Sequence, residues 1–411
     1  MRSSILALFM LAQVIYGHAI KRQPVSQESD ACKATGKVVY LLTNNEVNSV
    51  IALPIQADGT LASGTITPSG GNGSTTIDGT TMQPAGPDAI VSQSALTIAG
   101  DYIFAVNPGS NSLSMFSISK QDPTKLTLVG TPAPVPGEFP NTVAASAKNK
   151  LACVGATGAT AGVTCASFSE NGIGAMDTLR AINLGQTTPP VGPTNTVSQT
   201  FFSEDESTLI TMVKGDPTKN NTGFMSSLSV QQNKSCDGAS TASVASKDAR
   251  TSPAGTAVLF GSQIIPGTNN VFATDASFGA LVLSVDTKTG QATVVGKQAI
   301  EGQVATCWSA LARATGSVFV TDVDVPRLVE MSPKDASIIS IIDLSSGGDP
   351  GFIDLQASGD FLYVLSPGNQ TQNAAVVVMD LSGGQGKAKA IQRFALGAEA
   401  GKTAQGITIL D

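Results

Sequence analysis

VFATDASFGALVLSVDTKTGQATVVGKQ, residues 271–298, carries the plan of the chain. A short apolar run from Val271 stops at Asp275, and ASFG turns the backbone. ALVLSVDT then alternates apolar and polar side chains, and after KTG a third segment, ATVVGKQ, runs outward. Just upstream lies GTAVLFGSQ, residues 255–263, which is poor in charge and rich in small side chains. Runs of this length, rich in β-branched residues and bounded by Asn, Asp, Ser and Gly, are the pattern of strands joined by tight turns. Helical periodicity is nowhere sustained over three turns. The unit is one four-stranded antiparallel sheet.

It recurs along the chain. Runs equivalent to the one at Val271 begin at Val38, Tyr102, Leu151, Leu209, Val318 and Phe361, and the successive starts lie 64, 49, 58, 62, 47 and 43 residues apart. The preceding small-residue strand recurs as AIVSQSALTIAG, NTVAASAKN, TVSQTFFSED, ATCWSALARATG and GFIDLQASGD, and once more as AQGITILD at residues 404–411. The first unit has no such strand before Val38, so the last one completes it. This predicts an all-β, seven-bladed β-propeller over residues 38–411, a single domain closed by the C-terminal strand pairing into the first blade. Residues 62–90, rich in Gly, Ser and Thr, show no strand pattern and account for the long first spacing.

The start of the chain reads as export signals. Met1-Arg2 precedes twelve uncharged residues, Ile5 to Tyr16, and Gly17-His18-Ala19 offers small residues for cleavage. Residues 1–19 are expected to be a signal peptide, with Lys21-Arg22 closing a dibasic-processed segment (20–22) and residues 23–37 leading into the first strand. Twelve residues are too few to span a bilayer as a helix, and no apolar tail ends the sequence. The expected location is extracellular or the cell wall, without a membrane anchor, and the expected state is a monomer. The only histidine, His18, leaves with the signal, so a chain from Gln23 has no imidazole for a base, a triad or a metal site. Losing Arg2, Lys21 and Arg22 leaves 21 basic against 31 acidic residues, which disfavours nucleic acid as a partner.

Five cysteines remain, an odd number for an oxidising compartment. Cys153 and Cys165 flank a turn centred near Gly158-Ala159-Thr160, and simple antiparallel pairing places them opposite one another at disulfide distance. Cys307, on a small-residue strand, is expected to be a buried free thiol, which leaves Cys32 and Cys236 by elimination. Glycosylation sequons begin at Asn72, Asn220, Asn233 and Asn369.

TPSGGNG (67–73), IVSQSALTIAGDYIFAVNPGSNSLSMFSI (90–118) and the Cys307-Trp308 step resemble the lactonase family of seven-bladed propellers. Its fungal members are related to 6-phosphogluconolactonases and to 3-carboxymuconate lactonizing enzymes (3-carboxymuconate cyclases). The resemblance implies a propeller acting without metal or organic cofactor on a lactone or a carboxylated muconate, as a lactonase or a lactone-forming cycloisomerase. It also implies His, Arg and Glu side chains around a central mouth. The mature chain departs from this in having no His and only five arginines, Arg180, Arg250, Arg313, Arg327 and Arg393.

Topology supplies the candidates. Loops entering the small-residue strands share one face with the hairpins that follow the second strands. The loops carry Asp88, Glu138, Asn141, Arg250, Glu301 and Asp349; the hairpins carry Asn44, Asn107, Asp216, Asp275, Asp322 and Asp324, which are also ordinary turn formers. Glu138 or Glu301 is the expected base, with Arg250 as anion clamp and Asp88, Asn141 and Asp349 as ligand contacts. Trp308 reads as core packing or as a wall for a stacked ligand. Asn72, Asn220 and Asn369 are expected on that same face and Asn233 on the other, which favours a small ligand at the mouth. Three classes fit: a lactonase or cycloisomerase, a non-catalytic cell-wall or host-surface binding propeller, and a cation-binding module, for which no ligand-spacing motif is present.

Overall fold

A computed structural model describes residues 36–234, 240–369 and 372–411. Cys32 and Cys236 lie outside the described residues. Among the described residues there are seven antiparallel sheets, six with their four main strands in simple meander order and the first completed by the C-terminal strand. Their innermost strands are Gln405–Leu410, Leu96–Ala99, Pro140–Ser146, Val197–Phe202, Leu259–Ile264, Thr306–Ala312 and Leu355–Ser358 for blades one to seven. The face on which these strands begin is called the front and the face on which they end the back. The meander then puts each hairpin between second and third strands at the front, and each hairpin between first and second strands at the back.

Blades pack face to face, which explains their residue patterns. A second strand has a neighbouring sheet on both sides, so Val38–Leu42, Leu151–Ala156 and Phe361–Ser366 are buried at every position. An outer strand keeps one side in water, so Ala292–Ala299 alternates buried and open positions. The apolar core is accordingly a series of layers between blades. Cys153, Leu151 and Val163 of blade three meet Val197, Leu209 and Leu228 of blade four. Phe272 and Val282 of blade five meet Val318 and Val329 of blade six.

The ring closes as the repeat predicts. Gln405–Leu410 pairs with Val38–Leu42, setting Val38 opposite Leu410 and Val39 opposite Ile409, and the Lys37 N–H donates to the Leu410 carbonyl at 2.7 Å. Cys153 lies opposite Cys165 in the ladder, and a disulfide joins them. Cys307 is buried and free. One expectation needs correction: residues 62–90 contain a strand, Thr65–Pro68, the outer strand of blade one. It is only four residues long and ends in Pro, which suits an edge strand and hides it from a search for periodicity.

Deleting residues 404–411 strips blade one of its inner strand and leaves the inner edge of Val38–Leu42 unpaired and the apolar layers on either side of blade one short of a strand. The expected outcome is loss of the monomer peak in size-exclusion chromatography; a soluble monomer with unchanged thermal midpoint would contradict ring closure.

Candidate ligand site

The chain enters blade two in an unusual way. Val91 and Ser94 sit at φ 52° and 65°, a left-handed region that is costly for a β-branched residue such as valine. These two reversals carry residues 88–94 across the channel axis instead of up the blade. The Gln93 N–H donates to the Ser198 carbonyl of blade four at 2.9 Å, and its side-chain amide donates to the Ser309 carbonyl of blade six at 2.8 Å. The Trp308 indole donates to the Ser92 carbonyl at 3.0 Å, and the Ser92 hydroxyl donates to the Asn141 carbonyl at 2.6 Å. Asn141 in turn donates to the carbonyls of Ile90 (3.2 Å) and Val197 (2.6 Å). Bulges in the innermost strands of blades four, five and six open room for this plug. Gly261 lies in one of them, and a Cβ there would stand 2.3 Å from Gln93 Oε1.

The plug also brings ionisable groups into the ring. Lys214, buried at the end of a blade-four strand, donates to the Val91 carbonyl and lies 4.2 Å from the centroid of the Phe260 ring. Asp88 accepts from the Val91 N–H at 2.9 Å and from the Gln405 side-chain amide at 3.4 Å. Burial raises the Asp88 carboxyl above its ordinary value, opposed by the Lys214 charge; burial lowers the Lys214 ammonium, opposed by Asp88. Burial likewise raises the Cys307 thiol, so it is not a ready nucleophile.

On the front side the plug continues into a cover. Asn44 of blade one exchanges hydrogen bonds with the backbone of Ser74, at 2.7 and 3.2 Å. Ile77 pairs with the loop leading to blade four, donating to the Pro190 carbonyl at 2.8 Å and accepting from the Gly192 N–H at 2.7 Å. Blades one and four stand on opposite sides of a seven-membered ring, so this segment crosses the front mouth.

The back side is open. A cavity of about 980 Å³ reaches from the plug to the back hairpins, walled by every blade except the third. Its lining is amide and hydroxyl rich: Gln93, Gln199, Gln263 and Gln356, with Ser94 and Ser262. Gln199 is locked between blades, accepting from the Ser262 N–H at 2.6 Å and donating to the Ser94 hydroxyl at 3.2 Å. Glu204, Asp354, Asp360 and Asp411 supply carboxyls, Arg313 is the single arginine of the lining, and Phe201 and Phe202 add aromatic surface. Asp354 is the deepest acid. It accepts from the N–H groups of Leu355 (3.0 Å) and Ile407 (3.1 Å), yet burial outweighs these bonds and raises it from 3.8 to about 8.

Of the candidates read from the sequence, Asp88, Asn141 and Trp308 meet at the plug, and the others stay apart in separate blades. Glu138 accepts from the hydroxyls of Thr188 and, at 3.2 Å, Thr160. Arg250 belongs to the outer strand Ala249–Thr251, where it pairs with Asp248 at 2.7 Å and stacks on Phe224. Glu301 is exposed, and its carbonyl accepts from Arg327. Asp349 is buried in an ion pair with Arg393 at 2.7 Å and accepts from the Ser366 hydroxyl. The front hairpin acids latch their own blades: Asp275 accepts from the N–H groups of Ala257 and Val258, and Asp322 from those of Val304 and Ala305, each time just before the innermost strand. The cup residues were missed, although a glutamine recurs in the innermost segments SQS, SQT, SQI, LQA and AQG.

Two outcomes follow for these buried groups. Asp354 keeps its proton in the folded chain where the unfolded chain has lost it, so its contribution to stability is greatest below pH about 4 and is lost as pH rises toward about 8. Asp354→Asn should flatten that fall in thermal midpoint over this window, whatever it does to the midpoint itself; an unchanged slope would contradict the assignment. Lys214→Met removes the bond to the Val91 carbonyl and the positive charge that opposes the burial of Asp88, and should cost roughly 1–3 kcal/mol in urea denaturation, partly recovered in the double variant with Asp88→Asn.

No protein-family model matches the chain, and no curated protein matches its sequence. Solved structures do share its shape. A putative 6-phosphogluconolactonase from Bacteroides fragilis superposes with a TM-score of 0.55 at 12% identity, over 92% of this chain and 99% of its own. Another, from Bacteroides uniformis, gives 0.55 at 13% identity, over 91% and 100%. A hypothetical selenium-binding protein from Sulfolobus tokodaii gives 0.56 at 8%, over 91% and 93%. Identities this low carry the fold alone. The chain is a seven-bladed β-propeller with structural similarity, at low identity, to putative 6-phosphogluconolactonases.

Proposed function

We propose that this chain is an exported, lactonase-like propeller that holds a small, neutral, hydroxyl-rich molecule, a sugar or sugar lactone, in the cup on its back face. The observation that carries this reading is the ring of Gln93, Gln199, Gln263 and Gln356 around one blind cavity. A carboxamide has two N–H donors and two oxygen lone pairs; Gln93 and Gln199 use one of each on the protein and Gln263 uses one donor, so each keeps a donor and an acceptor for neighbouring hydroxyls. Arg313 is outnumbered by the lining acids, so a phosphate or a carboxylated muconate finds no pair of cationic clamps there.

Lactone opening fits the same cavity. It needs a base to take a proton from water and a positive group for the oxygen that gains charge. Asp354, raised to about 8, is the group suited to the first role, and Arg313 to the second. Binding without turnover is the second reading, favoured by the backbone N–H groups that already occupy both Asp354 oxygens. Export is supported by the N-terminal signal pattern, the Cys153–Cys165 disulfide and the exposure of Asn72, Asn220, Asn233 and Asn369. Asn220 and Asn369 follow second strands, and Asn72 packs on the front hairpin at Gly109, so glycans at these three leave the back cup open. Cell-wall or host-surface contact then uses the back rim or the blade sides, and the protein acts as a monomer.

Calorimetry with glucose, gluconolactone and 3-carboxymuconate, together with lactone hydrolysis followed at constant pH, tests both readings. Neutral ligands should bind and Gln199→Leu should weaken them at least tenfold; hydrolysis that rises toward pH 8 and disappears in Asp354→Asn selects the enzymatic reading. Binding or turnover of carboxymuconate alone would overturn the cup as assigned.

A further inference from the structure

A second hollow adjoins the cup. It measures about 490 Å³ and lies on the back face between blades four and five. Its walls are the back hairpin 203–208 of blade four and the back hairpins 264–271 and 285–290 of blade five. Glu204 and Ile264 line both spaces, and Glu204 accepts from the Gly267 N–H at 2.8 Å, forming a low saddle between them. First-to-second-strand hairpins stand close to the axis and third-to-fourth-strand hairpins stand farther out. The hollow therefore runs outward from the cup, and blade five's outer hairpin closes its far end, Gly290 packing toward Ser227 and Ala249 of blade four.

We infer that this groove is an extension of the ligand site, and that the natural ligand is a short neutral oligosaccharide with one end in the cup and its following units between blades four and five. The inference rests on the cup being the ligand site. Volume is the first argument. The cup alone reaches the upper end of the range for a single small ligand, about 300–1,000 Å³, and with the groove the space exceeds it. The lining is the second. Ile210, Ile264, Val271 and Val285 make an aliphatic floor, and hydroxyl and amide groups such as Thr208 and Asn270 stand around it. A pyranose has the matching two-sided character, with apolar C–H faces and hydroxyls at its edge.

Charge narrows the class further. The carboxylates in the groove are held by their own turns, Asp205 by the Ser203 and Ser207 hydroxyls and the Ser207 N–H, and Asp286 by the N–H groups of Lys288 and Thr289. These bonds lower both acids below their ordinary value, and with Glu204 the groove sets three carboxylates against the flanking Lys148 and Lys288, which disfavours uronate chains and other polyanions. The aliphatic floor and the uncharged edge groups remain for contact with sugar.

The test is calorimetry with neutral gluco-oligosaccharides of one to six units, in the cello, malto and laminari series. Affinity should rise at least tenfold between one unit and three in the matching series and then level off as the groove fills. Asn269→Trp and Thr287→Trp, at exposed turn positions on blade five, block the groove without touching the cup. Each should abolish the gain with length and leave binding of the single unit unchanged; two variants guard against one that fails to fold. A single unit that binds without any gain overturns this inference and leaves the cup intact. A gain that survives both blocking variants, or a groove that takes a basic peptide in preference to sugar, also overturns it. No binding by any member of the ladder overturns the cup reading and this one together.

Discussion

Everything in this molecule depends on the ladder between Val38–Leu42 and Gln405–Leu410. No blade has a core of its own, because its middle strands bury both faces against neighbouring sheets. Each sheet is stable only with a sheet on either side, and a linear array would leave its two end sheets half covered. Joining the ends of the chain covers those surfaces and pairs the inner edge of Val38–Leu42. The contact spans almost the full sequence, so its loop-closure cost is met late and is offset by all the layers it completes.

Closure around seven sheets leaves a channel whose diameter is set by blade number rather than by local sequence. In this chain the channel is divided. Residues 88–94 cross it, at the expense of two left-handed backbone positions, and are held by bonds to blades three, four and six. The front mouth is covered by the segment that precedes the plug, and the back becomes a blind cup with a polar floor. Because the floor is tied to several blades at once, its amides are held by neighbouring groups, as Gln199 is between Ser262 and Ser94. The buried Lys214 and the half-buried Asp88 belong to this arrangement: a charge placed inside the ring needs an opposite charge or a carbonyl, and the plug supplies both.

Blade boundaries were legible because the second strands are buried on both sides and read as unbroken apolar runs, from VVYLL at Val38 to FLYVLS at Phe361. The Cys153–Cys165 pairing was legible because a hairpin's register follows from its turn. Thr65–Pro68 was not, being too short to show alternation. The site residues were the least legible. Asp and Asn in the front hairpins share the composition of ordinary turns and prove to be latches, as Asp275 and Asp322 show. The glutamines of the cup were visible as a recurring residue in the innermost segments, but a polar residue in a strand says nothing of which side meets solvent.

The sequence by itself determined the repeat, the number of blades, the strand that closes the ring, the one described disulfide and the lack of histidine after Gln23, because each follows from local pattern and residue count. Only the tertiary structure decided which end of the channel is open. That choice rests on contacts between residues more than two hundred positions apart, Gln93 with Ser309 and Ser92 with Trp308, which turn one loop into a plug. Nothing local in SQSAL distinguishes a strand that follows its blade from a segment that crosses the ring; the difference lies in the space that Gly261 and the bulged strands around it leave open.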